Sequence, residues 1–193
     1  SIINKMGQGD YYGSIKNTNE FLQDMNISQI REIAKSVSID TEGKDKQTLI
    51  QELVNSNDMS YDRLTSAIVN LQGAFDASKL TLFNNFDKLM LNDVAKLKQL
   101  AYENNIDYDN LSLAEVLDQL KENMDIDSID NVVSSNRAVL DAINKNIQTN
   151  EDKTKFLQES LKAYSTSGIK IDEPTLKLLA SLIELKEEEF LNR

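Results

Sequence analysis

The chain contains no cysteine and no histidine. That double absence removes disulfide frameworks, thiolate nucleophiles, zinc fingers and imidazole acid–base chemistry together, and it fits a reducing compartment. Proline occurs once and glycine six times in 193 residues. Few breakers over such a length favour helices joined by short polar turns. No apolar run approaches the roughly 20 residues that span a bilayer, so no membrane association is expected. The opening Ser1-Ile2-Ile3-Asn4-Lys5-Met6-Gly7 lacks the apolar region and cleavage pattern of a signal peptide. A first residue other than methionine implies loss of that methionine or excision from a longer precursor. Positive charge is also scarce: 21 Lys and Arg stand against 32 Asp and Glu, for a net charge of -11 and a pI of about 4.5. Phosphate is repelled at long range by such a chain. Nucleic-acid contact therefore requires a local basic patch, or an oligomer that presents one.

What is present is ordinary for a folded protein, with 40% hydrophobic and 27% charged residues. The length is enough for one or two domains with a true core. The most informative feature is a helix-loop-helix pattern that occurs twice. Adding 67 to each position takes Leu22 to Leu89, Ile27 to Val94 and Ile30 to Leu97. The same addition takes Ile33 and Ala34 to Leu100 and Ala101, and Ile39 and Asp40 to Ile106 and Asp107. It also takes Leu49, Ile50 and Leu53 to Val116, Leu117 and Leu120. A shared apolar register of this length implies two copies of one small packing unit, over residues 21–56 and 88–123.

Turn and cap chemistry supports the pattern. Asn26 with Gln29 makes a capping box ahead of Ile27, Ile30, Ile33 and Val37, and Gly43 can supply a positive φ before Asp45 caps a second helix. In the second copy Asn92 is read as the first cap, and Ser112 with Glu115 as a capping box for the second helix. Between the copies, Tyr61, Leu64, Ile68, Leu71 and Phe75 form one amphipathic stripe, and Leu80, Phe83 and Phe86 begin another. These helices complete the cores of modules too small to bury their own apolar faces. The expected organisation is a flexible N-terminal arm over 1–20, tandem modules over 21–124, and a helical segment over 128–193.

That last segment begins after Asp125-Ile126-Asp127-Ser128-Ile129-Asp130, read as a hinge. From Ile129, the residues Val132, Asn136, Val139, Ile143 and Ile147 follow alternating steps of three and four. This is an a/d seam with one polar Asn, a pattern suited to self-association, and a monomeric bundle explains it equally well. Phe156, Leu157, Leu161 and Tyr164 lie on a next helix. Gly168 to Asp172 form an extended link, and Pro174 opens a final helix with Leu176, Leu179, Ile183 and Phe190. The segment is thus expected to hold three helices and to form a homo-oligomer.

No spacing selects a catalytic or metal site. Asp107-Tyr108-Asp109 precedes Leu111 where a calcium loop requires oxygen, and Asp125-Ile126-Asp127 lacks the turn glycine. Gly7-Gln8-Gly9 has no preceding strand or third glycine, and Gly43-Lys44 lacks the rest of a phosphate loop. No catalytic residue, metal or cofactor is assigned.

The basic residues of the first copy form a set: Arg31 and Lys35 lie one turn apart on a helix, with Lys44 and Lys46 at the corner. In the second copy the corner lysines become Leu111 and Leu113, while Lys96 and Lys98 remain on the helix. On Ile27-Ser28-Gln29-Ile30-Arg31-Glu32-Ile33-Ala34-Lys35, Ile39, Gly43-Lys44, Lys46 and Leu49-Ile50-Gln51-Glu52-Leu53, the first copy resembles a SAP or Rho N-terminal helix-extended loop-helix motif. The resemblance covers about a third of the chain. It implies that Arg31, Lys35, Lys44 and Lys46 face a DNA or RNA backbone, whereas the second copy departs at the corner and implies a bracing or protein-binding role. In layout alone the whole chain resembles small terminase subunits, which recognise viral DNA as rings.

The sequence thus leads to an all-α fold of two repeated modules with intervening helices and a three-helix C-terminal segment. Its expected role is a non-catalytic adaptor of a nucleic-acid machine, in phage or viral DNA packaging or virion assembly. Its partners would be nucleic acid and proteins of a larger assembly. Its location would be cytoplasmic, meaning the host cytoplasm or the virion if viral. Two alternatives stand beside it: a structural virion or interaction component that binds no nucleic acid, and an acidic regulatory subunit that binds a basic partner.

Overall fold

The structure, a computed structural model, describes residues 18–56 and 60–186. The expected arm lies outside this range up to residue 17, and residues 18–20 instead open a helical stretch that runs to residue 23. Phe190 also lies outside it. Among the described residues the fold is all-α. Its helices are α1 (Ile27–Ser36), α2 (Lys46–Asn55), α3 (Tyr61–Asn70), α4 (Gln72–Asn92) and α5 (Val94–Glu103). A 3-10 turn (Tyr108–Asn110) and α6 (Leu113–Asn123) follow, then α7 (Ile126–Ser135), α8 (Arg137–Asn146), α9 (Asn150–Thr166) and α10 (Glu173–Leu182). The chain divides into two compact units, Ser1–Thr81 and Leu82–Arg193. Residues 21–56 fall in the first unit and residues 88–123 in the second.

In the first unit, α1 starts where the Asn26 side chain accepts the Gln29 amide at 3.0 Å and Gln29 accepts the Asn26 amide at 3.1 Å. Two otherwise orphaned donors are thereby satisfied. The helix buries Ile27, Ile30, Ile33 and Ala34, which form one core with Leu49, Ile50 and Leu53 of α2. Each isoleucine or leucine among them contributes about 1.5–3 kcal/mol when fully buried. The helix ends in a Schellman turn. Ser38 takes φ 63, its amide bonds the Lys35 carbonyl at 3.1 Å, and the Ile39 amide bonds the Ala34 carbonyl at 2.9 Å. Gly43 takes φ 71 at the corner, and Asp45 accepts the Thr48 amide at 2.8 Å to start α2. Leu64 of α3 and Phe75 of α4 complete the core. The stripe from Tyr61 to Phe75 is interrupted at Leu71, which ends α3.

In the second unit, α5 covers the positions of α1 plus 67, and it ends in the same turn. Asn105 takes φ 57, with its amide on the Tyr102 carbonyl at 3.2 Å and the Ile106 amide on the Ala101 carbonyl at 2.9 Å. The cap of α5 is Asp93, accepting the Lys96 amide at 3.0 Å. Asn92, the cap expected from sequence, is instead the last residue of α4. Ser112 and Glu115 form the capping box of α6. The second helices differ in burial: α6 buries Leu113 and Ala114 in addition to Val116, Leu117 and Leu120, whereas α2 buries Leu49, Ile50 and Leu53.

Among the described residues, those after 124 share the core of the second unit. Asp125 is the cap of α7, accepting the Ser128 amide at 2.7 Å, so the expected hinge is a helix start. Four helices, α7 to α10, occupy the described part of 126–186, where three were expected. Ile129, Val133, Leu140, Ile143, Ile147, Leu157, Tyr164, Leu179 and Ile183 share one core with Leu97, Leu100 and Leu120. The buried Tyr164 hydroxyl donates to the Met90 carbonyl, and burial pushes that phenol well above its ordinary range.

Candidate nucleic-acid interface

The four predicted cations all belong to the first unit, on α1, at the corner and at the first position of α2. Arg31 and Lys35 lie on α1, with Lys35 exposed and Arg31 half-buried. Lys35 pairs with Glu32 at 3.4 Å, one turn back on the same helix. Lys44 donates to both carboxylate oxygens of Glu52, at 2.9 and 3.0 Å, and so ties the corner to α2. Lys46 donates to the Gln23 carbonyl at 3.1 Å. Around it, the amide side chains of Gln23 and Gln47 bond each other at 3.0 and 2.9 Å.

The start of α2 carries its own anion. The Asp45 carboxyl sits at this helix N-terminus and is held below its usual range, first by the Thr48 amide and then by the Thr48 side chain. That ionised group takes the place a phosphate would occupy at a bare helix start. Any phosphate contact at this corner must therefore come from the lysine and arginine side chains. Exposed ion pairs such as Lys35–Glu32 contribute only about 0–1 kcal/mol, so a phosphate can compete for their cations.

The corresponding corner of the second copy has a different fate. Leu113 and Ala114 stand where the first copy has Lys46 and Gln47, and both are buried. The Leu113 amide donates to the Lys170 carbonyl at 3.0 Å, and the Ala114 amide donates to the Thr175 hydroxyl at 3.1 Å. Residues 170–175 thus cover this corner. Lys98 of α5 lies over the Tyr108 ring, 5.2 Å from its centroid, and Tyr108 reaches Ser167 through a 2.7 Å hydrogen bond.

The predicted self-association seam is not one continuous helix stripe. Asn136 ends α7 and precedes α8, and its side chain donates to the Val132 carbonyl at 2.8 Å. A side chain that bonds its own backbone competes with the helix, and here it breaks the register that the spacing suggested. Ile143 and Ile147 are buried in the core of the second unit, Val132 is half-buried, and Val139 is exposed.

Sequence reasoning did not single out Asp87 and Lys121. They form a 2.6 Å ion pair between α4 and α6, with Asp87 only 2% exposed. One carboxylate oxygen, Oδ1, has no hydrogen-bond partner. Burial, opposed by Lys121, pushes the Asp87 pKa up to about 6. Among the described residues no three His, Cys, Asp or Glu side chains are arranged to hold a metal ion. Nor is any described helix long and apolar enough to cross a membrane. No family model matches the chain, and neither does any curated protein or solved structure.

Proposed function

We propose that this chain is a non-catalytic helical adaptor of a nucleic-acid machine, of the kind that serves viral DNA packaging or virion assembly. In this reading Arg31, Lys35, Lys44 and Lys46 of the first module touch the phosphate backbone, and the second module braces the fold. One observation carries it. At the same two positions the second copy has Leu113 and Ala114 beneath a covering segment, whereas the first has Lys46 half-buried and Gln47 exposed. Lys46 is anchored there through the Gln23 carbonyl, and each lysine at this corner lowers the repulsion that a chain of net charge -11 exerts on phosphate.

The second reading is a structural or interaction component. The Lys44–Glu52 and Lys35–Glu32 pairs favour it, since cations already matched by carboxylates inside the module can act as its braces.

Titration of labelled duplex and single-stranded DNA at low salt separates the two. The adaptor reading expects retardation by the full chain and its loss in a Lys44→Glu, Lys46→Glu double variant. Retardation that survives the double change removes the corner from the contact. No retardation of either form by the unaltered chain leaves the structural reading.

A further inference from the structure

All three non-glycine residues with positive φ among the described residues are Ser38, Asn105 and Glu184. The first two end the leading helices of the two copies. Glu184, with φ 55, ends α10 in the same way: its amide bonds the Ser181 carbonyl at 3.1 Å, and the Leu185 amide bonds the Ala180 carbonyl at 2.8 Å.

The likeness extends back through the helix. Adding 146 to the first-copy positions takes the cap Asn26 to Asp172, α1 to α10, the C-cap Val37 to Ile183, and Ser38 to Glu184. Adding 79 to the second-copy positions takes Asp93, Leu97, Lys98, Leu100, Ala101 and Ile106 to Asp172, Leu176, Lys177, Leu179, Ala180 and Leu185. The alanine whose carbonyl closes the turn and the apolar residue that follows the left-handed one are in register in all three.

This third element lies on the corner of the second copy. Thr175, with 0% exposure, accepts the Ala114 amide and donates to the Asp172 carboxylate. Hydrogen bonds from Thr175, with Ser112 contributing, hold the Asp172 carboxyl below the usual carboxylate range. The caps of α6 and α10 are thereby linked. Lys170 forms a parallel bridge with Ser112 and accepts the Leu113 amide. The N-terminal amides of α6 that most need partners receive them here.

We propose that residues 172–185 are the leading half of a third module, and that this half-module is the built-in occupant of the second copy's corner. Helix α6 then serves two leading helices, its own α5 and the third module's α10, which explains why it buries five residues where α2 buries three. The second corner is a docking surface for a module-leading half, and this conclusion stands whether or not the first corner meets nucleic acid.

Residue-resolved amide exchange on the full chain tests the proposal, together with the melting temperature of a Glu184→Gly variant. The Leu113 and Ala114 amides are expected to exchange only when the core of their unit opens. Thr175→Val removes the acceptor with little change in shape. It should speed Ala114 exchange about tenfold while the Leu97 and Leu100 amides keep their protection. Thr175→Ser keeps the acceptor and should preserve Ala114 protection, which provides the comparison if the valine variant does not fold. Glu184→Gly should raise the melting temperature, because glycine takes a left-handed conformation without strain. Fast exchange at Leu113 and Ala114 in the unaltered chain would overturn the docking. A lower melting temperature for Glu184→Gly, as glycine causes inside a helix, would overturn the assignment of the third leading half.

Discussion

Asp87 and Lys121 face each other at 2.6 Å between α4 and α6, and one oxygen of the carboxylate has no other partner. The pair is a buried charge interaction of the kind that costs much of what it returns. The charged groups acting on Asp87 are Lys121 and, more weakly, Asp118, which lies 3.9 Å from the Lys121 amine.

A pH dependence follows from the direction of the shift. The folded-state pKa of Asp87, about 6, lies above its ordinary 3.8. Folding therefore favours the protonated carboxyl. The group's contribution to stability is fully present below the unfolded pKa and is lost as pH rises through about 6. Asp87→Asn should remove this dependence: between pH 4 and pH 7 the unaltered chain should lose on the order of 2 kcal/mol of stability relative to the variant. Denaturant unfolding at both pH values measures it. Lys121→Met, which leaves the carboxylate without its cation, should cost about 3–5 kcal/mol at pH 7 and recover in part at acid pH.

The left-handed residues give a second expectation. Ser38 holds φ 63 with a Cβ in place, a conformation that disfavours most side chains by about 1 kcal/mol or more. Ser38→Gly should stabilise the first unit by up to about 1 kcal/mol. Asn105→Gly should gain less, because asparagine tolerates this region. Thermal melts of the two single variants check both the sign and the order.

Most caps were legible in the sequence because they depend on residue identity over three or four positions, although the cap expected at Asn92 falls on Asp93 and the expected hinge at Asp125 is a cap. Asn26 with Gln29, Asp45, and Ser112 with Glu115 cap as their chemistry requires, and Gly43 takes its positive φ. What the sequence hid depends on longer-range or competing contacts. Asn136 in an a/d register looks the same whether it lines a seam or breaks a helix, and only its bond to the Val132 carbonyl decides. The Lys44–Glu52 pair spans eight positions, outside the helical spacings that mark ion pairs in a sequence. Glu184 disguises its turn because a left-handed glutamate is not a residue that pattern reasoning expects there. The covering of Leu113 and Ala114 by residues 170–175 is a tertiary contact with no local signal.

The altered picture of the seam changes what its variants report. Ile143 is 5% exposed and packed in the core of the second unit, so Ile143→Asp should destabilise that unit by at least about 3 kcal/mol whatever the oligomeric state. Val139 is 41% exposed, and Val139→Asp should shift stability by no more than about 0.5 kcal/mol. Denaturant midpoints establish this contrast. Particle mass measured on the Val139 variant then reports on self-association through that face without the complication of unfolding.

If the first corner rests on phosphate, as proposed, the affinity for DNA must depend on salt through Lys44 and Lys46. Anisotropy of a labelled duplex, followed across a salt series, should give an affinity for the unaltered chain that falls steeply with salt. The double variant Lys44→Glu, Lys46→Glu should bind more weakly, with the slope of log affinity against log salt reduced by about 2. An identical slope and affinity for the two proteins, or no binding by the unaltered chain at the lowest salt, would contradict it.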